Sequence, residues 1–269
     1  MKTIKEQVAA HLAAGYRSDT ANAKVAHDIV LLAMQRCGFK ANSTVKGGVV
    51  MSSLTGDVRR ATMDMDIDFI RYPLSDTAVM RFVRRMSKAM PEVEMKIVGS
   101  PVELKHEDYR GKRIYLLIKD SSAARGIRTK IDIGVHANGK LAQIDFAFPT
   151  GSGEGSVELQ ANSPEQMFAE KLLSLLRHGA NSNRPKDVFD MYYLAGRLDR
   201  GKLKEYVALM VYGNPKCRVN SHEDMMRLVR LTFGLRPFAV KLTRVRSNWL
   251  QMPANEVLES LANFLATLS

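Results

Sequence analysis

Hydrophobic and polar positions alternate most regularly in residues 62–69, TMDMDIDF. A period of two is typical of a β-strand that is buried on one face only. The buried face is predicted to carry Met63, Met65, Ile67 and Phe69, and the polar face Thr62, Asp64, Asp66 and Asp68. Like charges spaced about 7 Å apart along one strand face repel each other, so a divalent cation is expected to neutralise the three carboxylates.

A strand, a glycine turn and a helix N-terminus are predicted directly upstream of this strand. Gly47 and Gly48 separate the segment STVK from a short VVMSSL segment, which ends at Gly56. Glycines let backbone N–H groups approach an anion closely, and the positive end of the helix dipole favours the same charge. The turn is therefore expected to bind phosphate.

A second strand with an aspartate on its polar face is predicted in the segment KIDIGVH, residues 130–136, where the aspartate is Asp132. Adjacent strands are about 4.8 Å apart, so Asp132 would reach the first aspartate group if the two strands pair. Asp145, in AQIDFAF, is the alternative. Both belong to five strand-like segments between residues 93 and 148, which predict a mostly antiparallel extension of the sheet. The joint KDSSAARGIRTK, residues 119–130, reads as a basic arm that could grip RNA or could be only a loop.

Helical periodicity dominates both ends of the chain. Helices are predicted over residues 3–14 and 19–36, and another runs from Ser75 to about residue 90. The exposed face of this last helix carries Arg81, Arg84, Arg85 and Lys88. A basic helix face can contact a phosphate backbone, although simple solvation is the commoner reason for such a face.

A Gly- and Ser-rich stretch at residues 149–162 predicts a domain boundary. The two predicted domains are residues 1–150, with a sheet, and residues 163–269, which are helical. Ser163 and the proline after it open the first helix of the second domain, where Lys171 lies among apolar positions. Lys171 either extends out to solvent or points into a cleft between the domains. Asp187, near the start of the next helix, either caps that helix or has a functional role.

Composition narrows the function classes. The net charge of the 269-residue chain is +12, and its pI is about 9.7, which favours a polyanionic partner. Cys37 and Cys217 form neither a metal-spaced cluster nor a disulfide framework, which indicates a reducing cytoplasm. No signal peptide or membrane span is expected. The six histidines form no metal pair, and no Ser-His-Asp arrangement indicates a hydrolase.

The motif residues, taken together, resemble a known family. Lys46-Gly47-Gly48, Arg59-Arg60, Thr62 and Asp64-x-Asp66 occur in the order found in DNA polymerase β-like nucleotidyltransferases, and more closely in their AbiEii/AbiGii toxin branch. The resemblance implies an α+β fold with a mixed sheet and flanking helices, followed by an α-helical C-terminal domain. Many members of the wider superfamily have Gly-Ser where this chain has Gly47-Gly48, so Ser52 or Ser53 is a candidate for the missing hydroxyl.

The same resemblance implies roles for particular residues. Asp64, Asp66 and Asp132 would bind Mg²⁺ or Mn²⁺, with Asp68 a less favoured ligand, and Asp132 would also activate the attacking hydroxyl. Lys46, Gly47, Gly48, Ser52, Lys171 and Asp187 would form the nucleotide site. Lys171 lies in an Ala-Glu-Lys-Leu helix like that of the family, and Asp187 lies in a matching run that would hold this lysine in place.

The implied activity is transfer of a nucleoside monophosphate from a nucleoside triphosphate (NTP) to an RNA 3′ end, such as that of a tRNA. Growth arrest would follow, and a separately encoded antitoxin would control it. One alternative is transfer to a small molecule such as an aminoglycoside, which the basic composition disfavours. The other is an inactive module that binds RNA or protein, which the intact acidic cluster disfavours.

Overall fold

Two compact units make up the chain. A computed structural model describes residues 1–105, 110–136, 138–151, 153, 155–244 and 247–269, and its units are Met1–Asn162 and Ser163–Ser269. The first unit has a mixed sheet with helices, and the described part of the second is helical. This architecture confirms the predicted α+β class, with a mixed sheet, flanking helices and helices in the C-terminal part.

The first unit begins with two helices, continues with alternating strands and helices, and ends with a run of consecutive strands. Its helices are α1 (Ile4–Ala13), α2 (Ser18–Arg36), α3 (Gly47–Thr55) and α4 (Asp76–Ala89). Its strands are β1 (Ser43–Lys46), β2 (Asp64–Phe69), β3 (Val93–Ile97), β4 (Val102–Lys105), β5 (Arg110–Asp120), β6 (Ile127–Val135), β7 (Gln143–Pro149) and β8 (Ser156–Asn162). The predicted strand PVELKH corresponds to β4, and its last residue, His106, lies outside the described residues.

The aspartate-rich strand β2 lies in the middle of the sheet. The strand order is β3-β5-β6-β2-β1-β8-β7, and β4 pairs with β5. Strand β2 is antiparallel to β1 and parallel to β6, and β1 is parallel to β8. The strand that precedes β2 in sequence, β1, thus pairs with it on one side, and β6, which follows β2 in sequence, pairs with it on the other side.

The apolar face of β2 is buried as its alternation predicts. Met65, Ile67 and Phe69 are fully buried, and each such side chain contributes roughly 1.5–3 kcal/mol to folding. The Phe69 ring packs edge-on against Phe82 of α4, with ring centroids 5.3 Å apart. The prediction for Met63 is wrong: its side chain is 48% exposed, because β2 begins one residue later, at Asp64.

Two expectations about the sheet are wrong. Residues 156–162, which were placed in the domain boundary, form β8, in which Val157, Leu159 and Ala161 alternate and are buried. The neighbouring glycines and serines concealed this short alternation. Strand β7 was expected in the same extension as β3 to β6, but it pairs with β8 at the opposite edge.

The two basic segments predicted in this unit are the arm at residues 119–130 and the exposed face of α4. The expected arm is a β-hairpin, because residues 119–130 include the end of β5, a short turn at 121–126 and the start of β6. The basic residues of α4 lie on the far side of the sheet from the polar face of β2, because Phe82 packs α4 onto the apolar face. Arg85 also donates to the Cys37 carbonyl at 2.7 Å.

Helices account for most of the second unit. They are α5 (Pro164–His178), α6 (Lys186–Ala195), α7 (Arg200–Met210), α8 (His222–Phe233), α9 (Arg236–Leu242) and α10 (Ala254–Ala266). Helix α5 begins as predicted, since the Ser163 side chain accepts a hydrogen bond from the Gln166 N–H and a proline occupies the first turn. No described helix combines the length and apolar character needed to cross a membrane.

Candidate functional site

Carboxylates from two neighbouring strands share the polar face of the sheet. Asp64, Asp66 and Asp68 alternate along β2, and the parallel pairing sets Asp66 directly opposite Asp132 of β6. Register partners on adjacent strands are about 4.8 Å apart. The structure therefore has the strand pairing on which the hypothesis for Asp132 depends. Asp145 lies on β7, three strands from β2, and its side chain pairs with Lys40 at 3.0 Å.

Asp132 is held by an arginine from the next strand. Arg113 of β5 is its register partner and binds it with two parallel hydrogen bonds, Nε to Oδ1 at 2.7 Å and Nη2 to Oδ2 at 2.8 Å. This hydrogen bonding raises the pKa of Arg113 above its usual value. A bidentate arginine fixes the plane of a carboxylate as well as its position. Arg113 was not predicted as a site residue.

Two other carboxylates of this face also have cationic neighbours on adjacent strands. Lys130 Nζ lies 2.7 Å from Asp64 Oδ1, and Lys46 Nζ lies 2.7 Å from Asp68 Oδ1. The expectation that the carboxylates simply repel each other is therefore wrong. Each strand was considered alone, whereas the compensating charges come from its neighbours. Lys46 was predicted to contact the nucleotide, and here it contacts Asp68, which is 7% exposed.

The chemistry of these residues fits a divalent cation. Among the described residues, no three His, Cys, Asp or Glu side chains converge into a metal-binding group. Mg²⁺, however, prefers oxygen ligands and commonly takes only one or two protein carboxylates, with substrate phosphates and water completing its shell. Asp66 and Asp132 supply two adjacent carboxylates, and the exposed Asp64 lies next to them on β2. Asp68 is the least accessible of the four.

Gly47 and Gly48 bring the start of α3 against this carboxylate face. Gly47 has a φ of +65°, a conformation that favours glycine, and a Cβ on it would lie 2.8 Å from Asp66 Oδ2. A Cβ on Gly48 would lie 2.5 Å from Thr62 Oγ1 and 2.9 Å from Thr62 Cβ. A side chain at either position would displace Asp66 or Thr62, and the two glycines, which form the first turn of α3, adjoin these residues directly.

The contact with Gly48 also bears on the missing serine hydroxyl. Thr62 Oγ1 occupies the space next to Gly48 into which a side chain at that position would project. Ser52 is the sixth residue of α3, about 7 Å along the helix axis from its start, and Ser53 is one residue further. Thr62 was placed on the polar face of the strand and in the motif, but its position beside the helix N-terminus was not predicted.

Replacing Gly48 by alanine is expected to lower the free energy of unfolding by about 1–3 kcal/mol, the usual cost of overpacking. The added Cβ collides with Thr62. Combining it with Thr62→Gly should recover most of the loss, as measured by urea denaturation of the single and double variants. Gly139→Ala is the matched control, because a Cβ there meets nothing within 4 Å. A loss in Gly48→Ala that is independent of residue 62 would contradict this account.

His27 lies next to the site but carries no charge there. Its side chain is buried, and burial lowers its pKa to about 4, against the opposing effect of neighbouring Asp28. The imidazole is therefore neutral at physiological pH. The cationic neighbours that the structure gives the carboxylates of β2 and β6 are the lysines and the arginine of the adjoining strands.

The second unit contains a buried ionic cluster centred on Lys171. Its Nζ lies 2.6 Å from Asp187 Oδ1 and 2.8 Å from Asp190 Oδ2, and the lysine side chain is only 5% exposed. Of the two alternatives for Lys171, extension to solvent is therefore wrong. Arg184 Nε contacts the other oxygen of Asp187 at 2.8 Å, and Trp249 Nε1 donates to Asp190 Oδ1 at 3.1 Å. The run of residues that includes Asp190 was expected to hold Lys171 in place, whereas the contact from Trp249 was not predicted.

Comparison with known proteins gives one family match. A family model described as "Nucleotidyl transferase AbiEii toxin, Type IV TA system" matches residues 29–226. No curated protein matches the chain. The solved structures it resembles include a putative nucleotidyltransferase from H. pylori, with 13% identity, a TM-score of 0.49 and coverage of 91% of this chain and 97% of that one. Another is an antigenic nucleotidyltransferase-like protein from Paracoccidioides brasiliensis, with 14% identity, a TM-score of 0.43 and coverage of 83% and 93%.

Proposed function

Because this chain belongs to the AbiEii family of nucleotidyltransferase toxins of type IV toxin–antitoxin systems, we propose that it transfers a nucleoside monophosphate from an NTP to the 3′ hydroxyl of an RNA, such as a tRNA. The family implies an NTP substrate and an antitoxin partner. The observation that carries the proposal is the position of Asp66, which lies beside Asp132 on one side and against Gly47 on the other. The glycines proposed to bind phosphate and the pair of carboxylates proposed to bind the metal ion are thereby adjacent.

The triphosphate binds at the N-terminus of α3 in this proposal. Gly47 and Gly48 leave room for phosphate oxygens to approach the backbone N–H groups, and the helix dipole favours their negative charge. The Thr62 hydroxyl, beside Gly48, is a further donor within this region. Asp64, Asp66 and Asp132 hold Mg²⁺ or Mn²⁺, which when bound supplies neutralisation of phosphate charge and polarisation of the attacking oxygen.

The transfer itself is an in-line displacement at the α-phosphorus. The acceptor oxygen forms a bond to this phosphorus while the bond to the bridging oxygen of pyrophosphate breaks, and pyrophosphate leaves with the electron pair. The acceptor proton passes to Asp132. Arg113 donates one hydrogen bond to each oxygen of the Asp132 carboxylate and so fixes its orientation. The carboxylate lone pairs that are not hydrogen-bonded to Arg113 accept the proton.

An RNA acceptor is favoured by charge. A protein of net charge +12 attracts polyanions and repels cationic aminoglycosides. Phosphate contacts through lysine and arginine release bound counterions, so RNA binding is expected to weaken steeply as salt concentration rises. The reaction product would no longer present the original 3′ end, and growth arrest follows if that end is needed in translation.

The deciding experiment incubates the purified protein with Mg²⁺ and each labelled NTP in turn. One set of reactions contains total cellular RNA and a second contains a panel of aminoglycosides. We expect label on small RNA, and we expect none when the RNA 3′ hydroxyl is blocked by oxidation. Asp66→Asn is the inactive control, because it removes one carboxylate from the polar face of β2.

The other outcomes separate the alternatives. Label on an aminoglycoside would identify a small-molecule transferase. Salt-sensitive RNA binding without label on any acceptor would leave an RNA-binding module. Label on RNA that survives oxidation of the 3′ end would contradict the proposed acceptor group while keeping the transferase activity.

A further inference from the structure

An open cleft of about 540 Å³ adjoins the carboxylate face in the described part of the first unit. Its floor is one row of the sheet, in which Asp64 of β2, Lys130 of β6 and Tyr115 of β5 are successive register partners. Met63 and the hairpin residues 126–129 form further walls, and the start of α2 closes one side. The volume falls within the range of about 300–1,000 Å³ that is typical of ligand sites.

The cleft lining suits a nucleotide in an unpaired strand. Tyr115 is 44% exposed and Met63 is 48% exposed, so an aromatic and an apolar side chain are both accessible in one cleft. Arg128 is exposed on the hairpin, and Lys130 lies 2.7 Å from Asp64. Unpaired bases stack on aromatic side chains, while arginine and lysine bind the backbone phosphates. Single exposed apolar residues are common, but here they adjoin a carboxylate of the site.

The position of the cleft selects which nucleotide it would take. Gly47 and Gly48 follow β1, on one side of β2, whereas Asp132 and Tyr115 lie on β6 and β5, on its other side. In an in-line displacement the attacking oxygen approaches opposite the leaving group. With pyrophosphate at the Gly47–Gly48 turn, the acceptor approaches from the side of β6 and β5, where the cleft lies.

We propose that this cleft binds the 3′-terminal unpaired nucleotides of the RNA acceptor. Tyr115 stacks on a base, and Arg128 contacts a backbone phosphate. The terminal hydroxyl is thereby directed towards Asp132. This assignment rests on the proposed transferase function, which it deepens by giving the acceptor a location separate from that of the NTP.

The test measures two affinities in each variant. The binding of a short fluorescent single-stranded RNA is followed by anisotropy, and the binding of NTP with Mg²⁺ is followed by calorimetry. Tyr115→Ala should weaken RNA binding by about 5- to 150-fold, since stacking contributes about 1–3 kcal/mol per base, and should change NTP affinity less than twofold. Tyr115→Phe should retain RNA binding because it keeps the aromatic face. Arg128→Ala should weaken RNA binding and reduce its salt dependence.

Arg84→Ala is the matched control for Arg128→Ala. It removes the same charge from an exposed position on α4, across the sheet from the cleft, and should leave RNA affinity within about twofold of the original. Thermal melts check that each variant is folded, which we expect because Tyr115 and Arg128 are exposed.

Three results would overturn the proposal. The first is unchanged RNA affinity in Tyr115→Ala. The second is a loss of NTP affinity in Tyr115→Ala while RNA binding is retained, which would assign the cleft to the NTP base. The third is the absence of RNA binding by the unaltered protein. The transferase function is judged separately by label transfer. If the protein labels RNA and Tyr115→Ala has the same RNA affinity as the unaltered protein, the cleft assignment is refuted and the transferase function stands. If RNA binding depends on Tyr115 but no label is transferred, the transferase function is refuted and the RNA-binding cleft stands.

Discussion

Replacing Asp66 by asparagine is expected to reduce nucleotidyl transfer by about a thousandfold, because a lost metal ligand in phosphoryl chemistry costs several kcal/mol of transition-state stabilisation. Asp66 lies at the centre of the site, opposite Asp132 in the register and against Gly47. Asparagine keeps the size of the side chain and removes its charge. The free energy of unfolding should therefore change by no more than about 1 kcal/mol.

Asp145→Asn is the matched control for this substitution. It makes the same chemical change in a strand of the same sheet, at an exposed carboxylate three strands from β2. Activity should stay within about twofold of the original, since Asp145 touches no proposed ligand or substrate. Initial rates with saturating NTP and RNA, together with urea denaturation, provide the comparison.

Metal binding gives a readout that does not depend on activity. Mn²⁺ can replace Mg²⁺ at oxygen-ligand sites, and its binding is measured by electron paramagnetic resonance of the free ion. In the presence of a non-hydrolysable NTP analogue, Asp66→Asn should bind Mn²⁺ more weakly than Asp145→Asn does. Equal Mn²⁺ affinity and equal activity in the two variants would remove the metal-binding role from Asp66.

The local features of this site were predictable because they depend on residues that are close in sequence. The alternation in residues 62–69 correctly assigned Met65, Ile67 and Phe69 to the core. The Gly47-Gly48 pair correctly predicted a strand followed by a helix N-terminus, although both glycines belong to the first turn of α3 and not to a separate turn. In each case the period of the side chains or the backbone freedom of glycine acts over only a few residues.

The partners across strands were not predictable, because register is a property of the whole sheet. The pairing of Arg113 with Asp132 joins residues 19 positions apart, and it changes the site from a row of repelling carboxylates into paired charges. The sequence of one strand does not show which charged residues of the neighbouring strand will lie opposite it. The same reason explains why residues 156–162 were placed in a domain boundary and not in a strand, since β8 is stabilised by pairing with β1 and β7.

The Lys171 cluster in the second unit also combines a feature that is predictable from nearby residues with contacts between residues far apart in sequence. Asp187 and Asp190 are three positions apart on α6 and therefore share a helix face, which the spacing indicates. The contact from Trp249 to Asp190 spans 59 residues and has no signal in the sequence. Burial of Lys171 beside both carboxylates depends on how α5 and α6 pack, so periodicity alone left its direction open.

Replacing Lys171 by methionine is expected to lower the free energy of unfolding by about 3–5 kcal/mol, the usual cost of removing one partner of a buried ion pair. Methionine fills similar space but leaves Asp190, which is fully buried, and Asp187 without their central cation. Trp249 is the single tryptophan of the chain and donates to Asp190, so its fluorescence reports the unfolding of this cluster directly.

Two variants give this measurement its controls. Lys186→Met removes the same charge from a half-exposed position at the start of α6 and should cost less than about 1 kcal/mol. Adding Asp190→Asn to Lys171→Met should recover part of the lost stability, because it neutralises one of the stranded carboxylates while keeping an acceptor for Trp249. Equal stability of the two methionine variants would contradict the role of Lys171 as the centre of a buried cluster.

The same pair of variants separates a structural from a nucleotide-binding role for Lys171. An ammonium group has three N–H donors, and two of those on Lys171 face Asp187 and Asp190, so one donor remains for the nucleotide contact that the family resemblance implies for this residue. At a temperature at which both variants are folded, Lys171→Met should weaken NTP binding more than Lys186→Met does. Equal NTP affinities, combined with the expected loss of stability, would make Lys171 purely structural.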